Sequence, residues 1–328
     1  MDKVLRDTLV QLHKDCFNDG NYADYFFEHR LNEKYAYVIE ENGEPLSACY
    51  ARIFTFNFKG KKVEIPFLTG VATSPLHRYK GLATKVVNKA VQDLKTKGFP
   101  FLMLHPFNHE FYRKLGFETI NFVSDLTPTS VALENVEFRK MERHDIPLVC
   151  NLYSTVAKRE KCYLLRDENE CEKLIGYSLE NGGFGYLIYE YGVPKGYVWC
   201  EDGACVEAVA EREELLLGLG AKLPYKLTLM GGNREYSMAK PLSLKSLFEC
   251  VPYLEEASGE VTFNTQGTNY SLKVENGRFS SLDVITESAY PLDEKTLIAI
   301  SLGQGDKVEN NIFKDIFPTY NLFAYEIY

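Results

Sequence analysis

The 328-residue sequence lacks any apolar run long enough to span a bilayer, so we expect no membrane insertion. Its first twelve residues, MDKVLRDTLVQL, have the pattern of an amphipathic helix and not that of a signal peptide. Basic residues are fewer than acidic ones, 37 against 46, which gives a net charge of −9. Such a surface disfavours nucleic acid as a partner and suits a cationic substrate.

Several motifs that would assign a function are also missing. The eight cysteines form no CxxC pair and no Cys/His cluster, which predicts no metal site and reduced, mostly buried thiols in a cytoplasmic protein. Neither G-x-G-x-x-G nor GK[ST] occurs, so Rossmann and P-loop nucleotide sites are not indicated. The composition, 45% hydrophobic and 25% charged, is globular, and the length allows two or three domains.

The strongest pattern that is present is a strand, a loop and a helix over residues 67–98. The apolar strand 67–73 stops before Pro75, because proline cannot donate to a β-ladder. Gly98 occupies the position where a glycine commonly ends a helix. Apolar residues at steps of three and four share one helix face: Leu82, Ala83, Val86, Val87, Ala90, Val91 and Leu94.

The loop before this helix predicts a phosphate site. The first turn of a helix offers unpaired N–H groups and the positive end of the helix dipole. Gly81 lets the backbone approach a pyrophosphate closely, and Arg78 and Lys80 add positive charge. An ordinary amphipathic helix with a basic N-terminus is the alternative interpretation.

A second pattern follows the short apolar strand 101–104. Residues 111–117 read F-Y-R-K-L-G-F, a short helix ended by glycine. The pair of patterns, R-x-x-G-x-A over residues 78–83 and this one, resembles the GNAT acetyltransferases. The resemblance implies that the loop binds the cofactor pyrophosphate and that Tyr112 faces the cofactor sulfur. The alternative for Tyr112 is an aromatic side chain that only packs.

The remaining chain predicts further helices and strands. Two helices within residues 1–33 precede strands 35–39 and 45–58, and Ser243 is expected to cap a helix. Asn276-Gly277 predicts a tight hairpin turn. Predicted strands are 63–67, 137–140, 184–191, 196–200, 225–230, 260–264, 270–275 and 278–285, and predicted helices are 144–156, 211–219, 291–302 and 308–316.

As a whole, the chain resembles the Eis (enhanced intracellular survival) family of N-acetyltransferases. That resemblance implies an α+β or α/β fold class with two GNAT-type acyltransferase folds, each a mixed sheet flanked by helices, and a sterol-carrier-like α+β domain. The expected limits are 1–130 for the catalytic domain, 131–235 for a degenerate GNAT-like domain and 236–328 for the last domain. The second domain has no R-x-x-G-x-A, and a different α+β domain is its alternative. The family's M-x-R is replaced here by Met238-Ala239-Lys240.

The same resemblance implies site residues. Tyr112 is expected to be the general acid, and the C-terminal carboxylate of Tyr328, on a tail inserted toward the active site, the base. The alternative is that the aromatic tail only packs. A backbone N–H near Val71 would polarise the thioester carbonyl. Acetyl-CoA is expected to contact Val71, Ala72, Thr73, Arg78, Tyr79, Lys80, Gly81, Leu82, Ala83, Thr84, Phe107 and Asn108.

The predicted function is direct acetyl transfer from acetyl-CoA to a primary amine, without a metal. The acceptor is expected to be a small molecule or a peptide, such as an aminoglycoside, a polyamine or a lysine-like amine. By resemblance, the protein is expected to form a homo-oligomer, with the family's hexamer as the specific form. A non-catalytic scaffold that binds CoA or an apolar ligand is the alternative, and release of free thiol from acetyl-CoA would discriminate between the two.

Overall fold

The computed structural model describes residues 2–17, 22–129, 133–201 and 203–324. The helices are α1 Lys3–Cys16, α2 Tyr22–Tyr25, α3 Leu82–Thr96, α4 His109–Lys114, α5 Ile146–Ala157, α6 Glu168–Cys171, α7 Tyr177–Glu180, α8 Glu214–Leu217, α9 Leu244–Cys250 and α10 Glu294–Ala299. The strands are β1 Ala36–Glu41, β2 Glu44–Phe58, β3 Lys61–Thr73, β4 Phe101–Leu104, β5 Glu118–Thr119, β6 Phe122–Leu126, β7 Val136–Lys140, β8 Cys162–Leu164, β9 Phe184–Glu190, β10 Val193–Glu201, β11 Ala204–Ala210, β12 Leu227–Met230, β13 Arg234–Glu235, β14 Met238–Pro241, β15 Gly259–Thr265, β16 Thr268–Glu275, β17 Arg278–Ile285, β18 Tyr290–Pro291 and β19 Leu322–Phe323.

The largest sheet is mixed and joins segments that are far apart in sequence. Its strand order is β19-β8-β2-β3-β4-β14-β5, with β1 also paired to β2. Strand β14 lies between β4 and β5, and β8 pairs with the end of β2. Segments from all three predicted domains therefore contribute to one sheet. The domain limits given above remain a prediction.

The predicted strand–loop–helix unit is confirmed in its elements. The strands expected at 63–67 and 67–73 are one continuous strand, β3, which pairs with β2 from Lys61 to Thr73 except at Gly70 and Val71, where the register shifts. Helix α3 buries Val86, Val87 and Leu94 against the sheet, as the apolar spacing predicts. Gly98 has a φ of 80° and donates its N–H to the carbonyl oxygen of Lys95, which is the expected helix end.

Within the described residues the chain also forms three smaller sheets, with strand orders β11-β10-β9-β7, β12-β6-β13 and β17-β16-β15-β18. Asn276 and Gly277 have φ values of 49° and 69° and turn β16 into β17, as predicted. Ser243 caps α9 by accepting the N–H of Ser246 at 3.2 Å, also as predicted. The mixed α+β class predicted from the sequence is confirmed.

One predicted helix is wrong, a second is shorter than predicted, and several strands were not predicted, among them β6, β8 and β11. Residues 308–316 form turns, because Asn310 has a left-handed φ of 53° that no α-helix accommodates. The helix expected at 211–219 is only α8, one turn long, and it continues as a tighter turn from Gly218. Strand β11 pairs with β10, although its short Ala/Val-rich segment gives a weak pattern.

The cysteines are free thiols, and seven of the eight are buried, as expected; Cys16 is half-buried. Burial raises the pKa of the Cys49 and Cys162 thiols well above the usual value. Across the described residues, His, Cys, Asp and Glu side chains form no group of three that could hold a metal ion. No helix within those residues is long and apolar enough to cross a membrane.

Candidate active site

A cavity of about 620 Å³ opens where β3 and β4 separate. The two strands run parallel but pair only at Phe67–Met103 and Leu68–Leu104. Beyond Leu68, β3 continues to Thr73 without β4 as a neighbour, because β4 ends at Leu104. The last residues of β3 therefore present backbone groups to the cavity, and a bound extended chain can pair with such an edge.

The loop at the start of α3 lies at one end of this cavity. Gly81 adopts a left-handed φ of 74° at the N-cap position, and a Cβ built there would have no atom within 4 Å. The open space beside the glycine is the close-approach surface that the sequence predicts. Tyr79 also has a positive φ, 63°, and its side chain is fully exposed. The Nε of Arg78 donates to the carbonyl oxygen of Thr73 at 3.5 Å, which holds the arginine beside the strand end.

The structure brings ten of the twelve predicted cofactor residues together in the cavity wall. Lys80 and Asn108 are not in that wall; the Asn108 side chain instead caps α4 by accepting the N–H of Phe111 at 3.0 Å. Cys16 and Phe17, at the end of α1, and Phe111 also line the cavity, and the sequence reasoning missed them. The ten lining residues are Val71, Ala72, Thr73, Arg78, Tyr79, Gly81, Leu82, Ala83, Thr84 and Phe107.

Of the three missed residues, only Phe111 carried a local signal. It belongs to the F-Y-R-K-L-G-F segment, whose aromatic residues the sequence already brings together. The position of Cys16 depends on tertiary packing, because its thiol donates to the carbonyl oxygen of Thr73 at 3.3 Å from the end of a distant helix. No sequence pattern links α1 to β3.

Tyr112 lies directly behind the aromatic side of the cavity. Its side chain is 2% exposed, and its ring centroid is 5.6 Å from that of Phe107 and 5.0 Å from that of Phe111. Both phenylalanines line the cavity, whereas Tyr112 itself is not in the wall. The tyrosine is thus one ring away from the space that the loop borders. The predicted base, Tyr328, lies outside the described residues.

The face of β2 and β3 opposite α3 is tightly packed beside the cavity. A Cβ on Gly70, whose φ is 60°, would come within 2.8 Å of the Tyr50 ring. Tyr50 packs edge-on against Phe27, and its burial raises the pKa of its hydroxyl group. Only glycine fits at position 70. Strand β3 therefore comes close to the Tyr50 ring at the point where β4 no longer runs beside it.

Comparison with known proteins agrees with this geometry. Residues 5–120 match the family model described as acetyltransferase (GNAT) domain. No curated protein matches the sequence significantly.

Solved structures resemble the whole chain. A probable N-acyltransferase from Enterococcus faecalis has a TM-score of 0.76 and 16% identity, over 97% of this chain and 92% of that chain. A GCN5-related N-acetyltransferase from Anabaena variabilis has a TM-score of 0.74 and 16% identity, over 99% and 96% of the two chains. Eis1 from Mycobacterium abscessus has a TM-score of 0.70 and 12% identity, over 100% and 98%. Residues 5–120 are therefore similar to a GNAT acetyltransferase domain, and the solved structures share the fold of nearly the whole chain.

Proposed function

We propose that the protein is an Eis-like, acetyl-CoA-dependent N-acetyltransferase that acts directly on a primary amine. The observation that carries this proposal is the 620 Å³ cavity, which extends from the loop at Gly81 to the aromatic residues that cover Tyr112. One end offers a helix N-terminus with Arg78 for a pyrophosphate, and the other brings an acid close to where the thioester would lie. These features support a site that would bind the donor and supply the acid that acetyl transfer needs.

We assign the steps of the acetyl transfer to the following groups of this chain. The edge of β3 beyond Leu68 binds the extended arm of acetyl-CoA, and the N–H of Val71 polarises the thioester carbonyl. The neutral amine attacks the carbonyl carbon, and the carbon–sulfur bond breaks as the amide forms. Tyr112 donates its proton to the departing thiolate; a phenol with an ordinary pKa near 10 is protonated at neutral pH.

The proton lost by the amine goes to the C-terminal carboxylate of Tyr328 in this proposal. Strand β19 runs parallel to β8, with Leu322 and Phe323 paired to Cys162 and Tyr163. The residue after β19, Ala324, is buried, and the residue two positions beyond β8, Arg166, lines a second cavity beside β2. The direction of β19 therefore supports a tail that leads toward this second cavity, where the acceptor amine would bind.

The test is the release of free thiol from acetyl-CoA mixed with a panel of primary amines. An N-acetyltransferase releases CoA only when an accepted amine is present, and the acetylated amine appears by mass spectrometry in equal amount. The alternative, a scaffold that binds CoA or an apolar ligand without turnover, predicts CoA binding by calorimetry and no thiol release with any amine. The burial of Tyr112 favours this alternative, because a general acid must contact the sulfur of the cofactor and a buried hydroxyl does not reach it without a movement of the covering rings.

The proposal also covers the oligomeric state of the protein and the fold of its third predicted domain. Residues 236–328 are proposed to form a sterol-carrier-like domain, and the cytoplasmic protein is proposed to be a homo-oligomer, with a hexamer as the specific expectation. Light scattering of the purified full chain measures its mass directly. A mass of one chain at micromolar concentration would contradict the oligomer.

A further inference from the structure

We propose that Cys200 and Cys205 form a reversible oxidation site, at which hydrogen peroxide converts two neighbouring thiols into a disulfide between β10 and β11. This proposal goes beyond the acetyl transfer and does not depend on it, because neither cysteine lies in the wall of the two cavities described above. It adds one oxidisable pair to the expectation of reduced thiols.

The two cysteines are direct partners in an antiparallel hairpin. Strands β10 and β11 pair so that Glu201 lies opposite Ala204 and Cys200 lies opposite Cys205. The strands are joined by residues 202 and 203, whose sequence, Asp-Gly, is typical of a two-residue hairpin turn. The pair that flanks such a turn exchanges backbone hydrogen bonds, and pair types alternate along the ladder. The cysteines therefore form a pair without backbone hydrogen bonds.

This type of pair holds two side chains close enough for a disulfide. Partners of this type have Cα atoms about 4.5 Å apart, within the range of about 4.4–6.8 Å that a disulfide usually spans. The register shift after Trp199 lies on the side away from the turn and leaves the cysteines opposite each other. The two thiols already share a hydrogen bond. The disulfide therefore needs side-chain rotation and no large movement of the backbone.

The shared hydrogen bond makes Cys200 the better nucleophile. Donation from the Cys205 thiol stabilises the Cys200 thiolate and so lowers the pKa of Cys200 below its usual value. The same bond, together with burial, raises the pKa of Cys205. At Cys49 and Cys250, by contrast, burial raises the pKa. Because the thiolate is the reactive form of cysteine, Cys200 should react before these two.

The position near a hairpin end gives a small oxidant access to the pair. Cys205 is 8% exposed and Cys200 is fully buried, but Gly203 and Ala204 are exposed. Local opening at the end of a hairpin breaks few backbone hydrogen bonds. Hydrogen peroxide is close to water in size, so it can reach a thiol that a bulky reagent does not.

The reaction is a two-electron oxidation of the protein by one molecule of peroxide. The Cys200 thiolate attacks one peroxide oxygen, the O–O bond breaks, and Cys200 becomes a sulfenic acid. The hydroxide that leaves takes up the proton lost by Cys200. The Cys205 sulfur then attacks the Cys200 sulfur, and the S–O bond breaks as the oxygen leaves with the Cys205 proton as a second water. A dithiol reductant reverses the product by thiol–disulfide exchange.

A second pair of thiols gives an internal comparison. Cys150, in α5, and Cys171, at the end of α6, also share a hydrogen bond. They lie on separate helices, so strand pairing does not fix the distance between their backbones. We therefore expect the disulfide between β10 and β11 to form first.

The experiment treats the folded full chain with increasing amounts of hydrogen peroxide. Remaining thiols are then blocked with N-ethylmaleimide in denaturant, and the peptides are mapped by mass spectrometry. Trypsin leaves both cysteines in the peptide 196–212, and cleavage after Glu201 separates them unless a disulfide joins the two halves. We expect this peptide to lose two hydrogens and take up no N-ethylmaleimide before any other cysteine reacts. Dithiothreitol should restore both thiols.

Two variants assign the bond. Cys205→Ala removes the second thiol, so peroxide should leave a sulfenic acid on Cys200 that dimedone labels, whereas the wild-type chain should take up little dimedone. Cys171→Ala is the matched control, because it removes a buried thiol of the other pair and should leave the Cys200–Cys205 disulfide unchanged. The peptide map of the wild-type chain tests the proposal even if a variant does not fold.

Several results would overturn the proposal. One is a Cys200–Cys205 disulfide that appears only after the chain is unfolded. Others are a first disulfide between Cys150 and Cys171, a wild-type Cys200 that stops at the sulfenic acid, and a folded chain whose methionines are oxidised while Cys200 and Cys205 remain thiols. Thiol release from acetyl-CoA tests the proposed acetyltransferase separately, so the failure of one proposal is distinguishable from the failure of the other.

Discussion

At the residue scale, Gly81 is the position where backbone conformation and ligand approach coincide. Its φ of 74° lies in the left-handed region, and the space where a Cβ would stand is empty. A phosphate can therefore approach the backbone closely at this position. We expect Gly81→Glu to abolish acetyl-CoA binding, because the carboxylate fills the approach space and repels the pyrophosphate. Gly81→Asn is the matched control: asparagine tolerates the left-handed region and adds bulk without charge, so this variant should fold and lose less CoA affinity than Gly81→Glu. Calorimetry measures both; unchanged affinity in folded Gly81→Glu would contradict the site.

Tyr112 provides the second test at this scale. Its ring packs among Phe107, Phe111 and Phe117, so Tyr112→Phe preserves the apolar contacts. We expect CoA affinity to persist and kcat to fall roughly 100-fold if the hydroxyl is the general acid. Tyr37→Phe is the control, because the Tyr37 hydroxyl donates to Asp93 at 2.7 Å and Tyr37 does not line the cavity. A Tyr112→Phe enzyme with wild-type kcat would leave the tyrosine only a packing role.

At the element scale, the start of α5 depends on a carboxylate. Asp145 is 5% exposed; it pairs with Arg139 and accepts the N–H of Glu142 at 2.9 Å. Burial alone would raise its pKa, but the hydrogen bonds from Arg139 and from the Glu142 backbone outweigh it and hold the pKa of Asp145 below its usual value.

A lowered pKa in the folded state fixes the direction of the pH effect. The stabilisation is complete above the unfolded-state pKa of about 3.9 and is lost as pH falls through the lower folded value. We expect Asp145→Asn to lower the free energy of unfolding by about 1–2 kcal/mol at pH 7, and by less near pH 3. Urea unfolding at both pH values measures this. The exposed Asp315 gives a control, Asp315→Asn, and an equal loss at both pH values would contradict the mechanism.

At the scale of the whole molecule, the proposed base links the end of the chain to the first domain. Leu322 and Phe323 belong to the largest sheet, and Phe323 packs against Tyr153. We expect that deleting Tyr328, or adding a few residues after it, removes most activity and leaves acetyl-CoA binding intact. Deletion moves the terminal carboxylate by up to about 3.5 Å, whereas extension keeps the aromatic sequence and removes only the carboxylate. Full activity of the extended chain would assign the base to a side chain of the first domain.

The sequence by itself determined the parts of the site that are contiguous along the chain. The strand, the loop at Gly81 and helix α3 were predicted correctly, because their periodicity and their turn residues act over a few positions. The Asn276-Gly277 hairpin was predicted for the same reason. The helix expected at 308–316 failed because an apolar spacing alone does not exclude a chain that turns at Asn310.

Only the tertiary structure decided which distant segments complete the cavities. Cys16 reaches the strand end of Thr73 through the packing of α1, and Arg52 meets Glu170 across 118 positions of sequence. Composition sets the net charge of the molecule, but the local charge of a cavity depends on which side chains the fold brings together. A protein with a charge of −9 therefore contains a cavity in whose wall cationic side chains outnumber carboxylates, because burial and strand pairing, rather than composition, set the position of each charge.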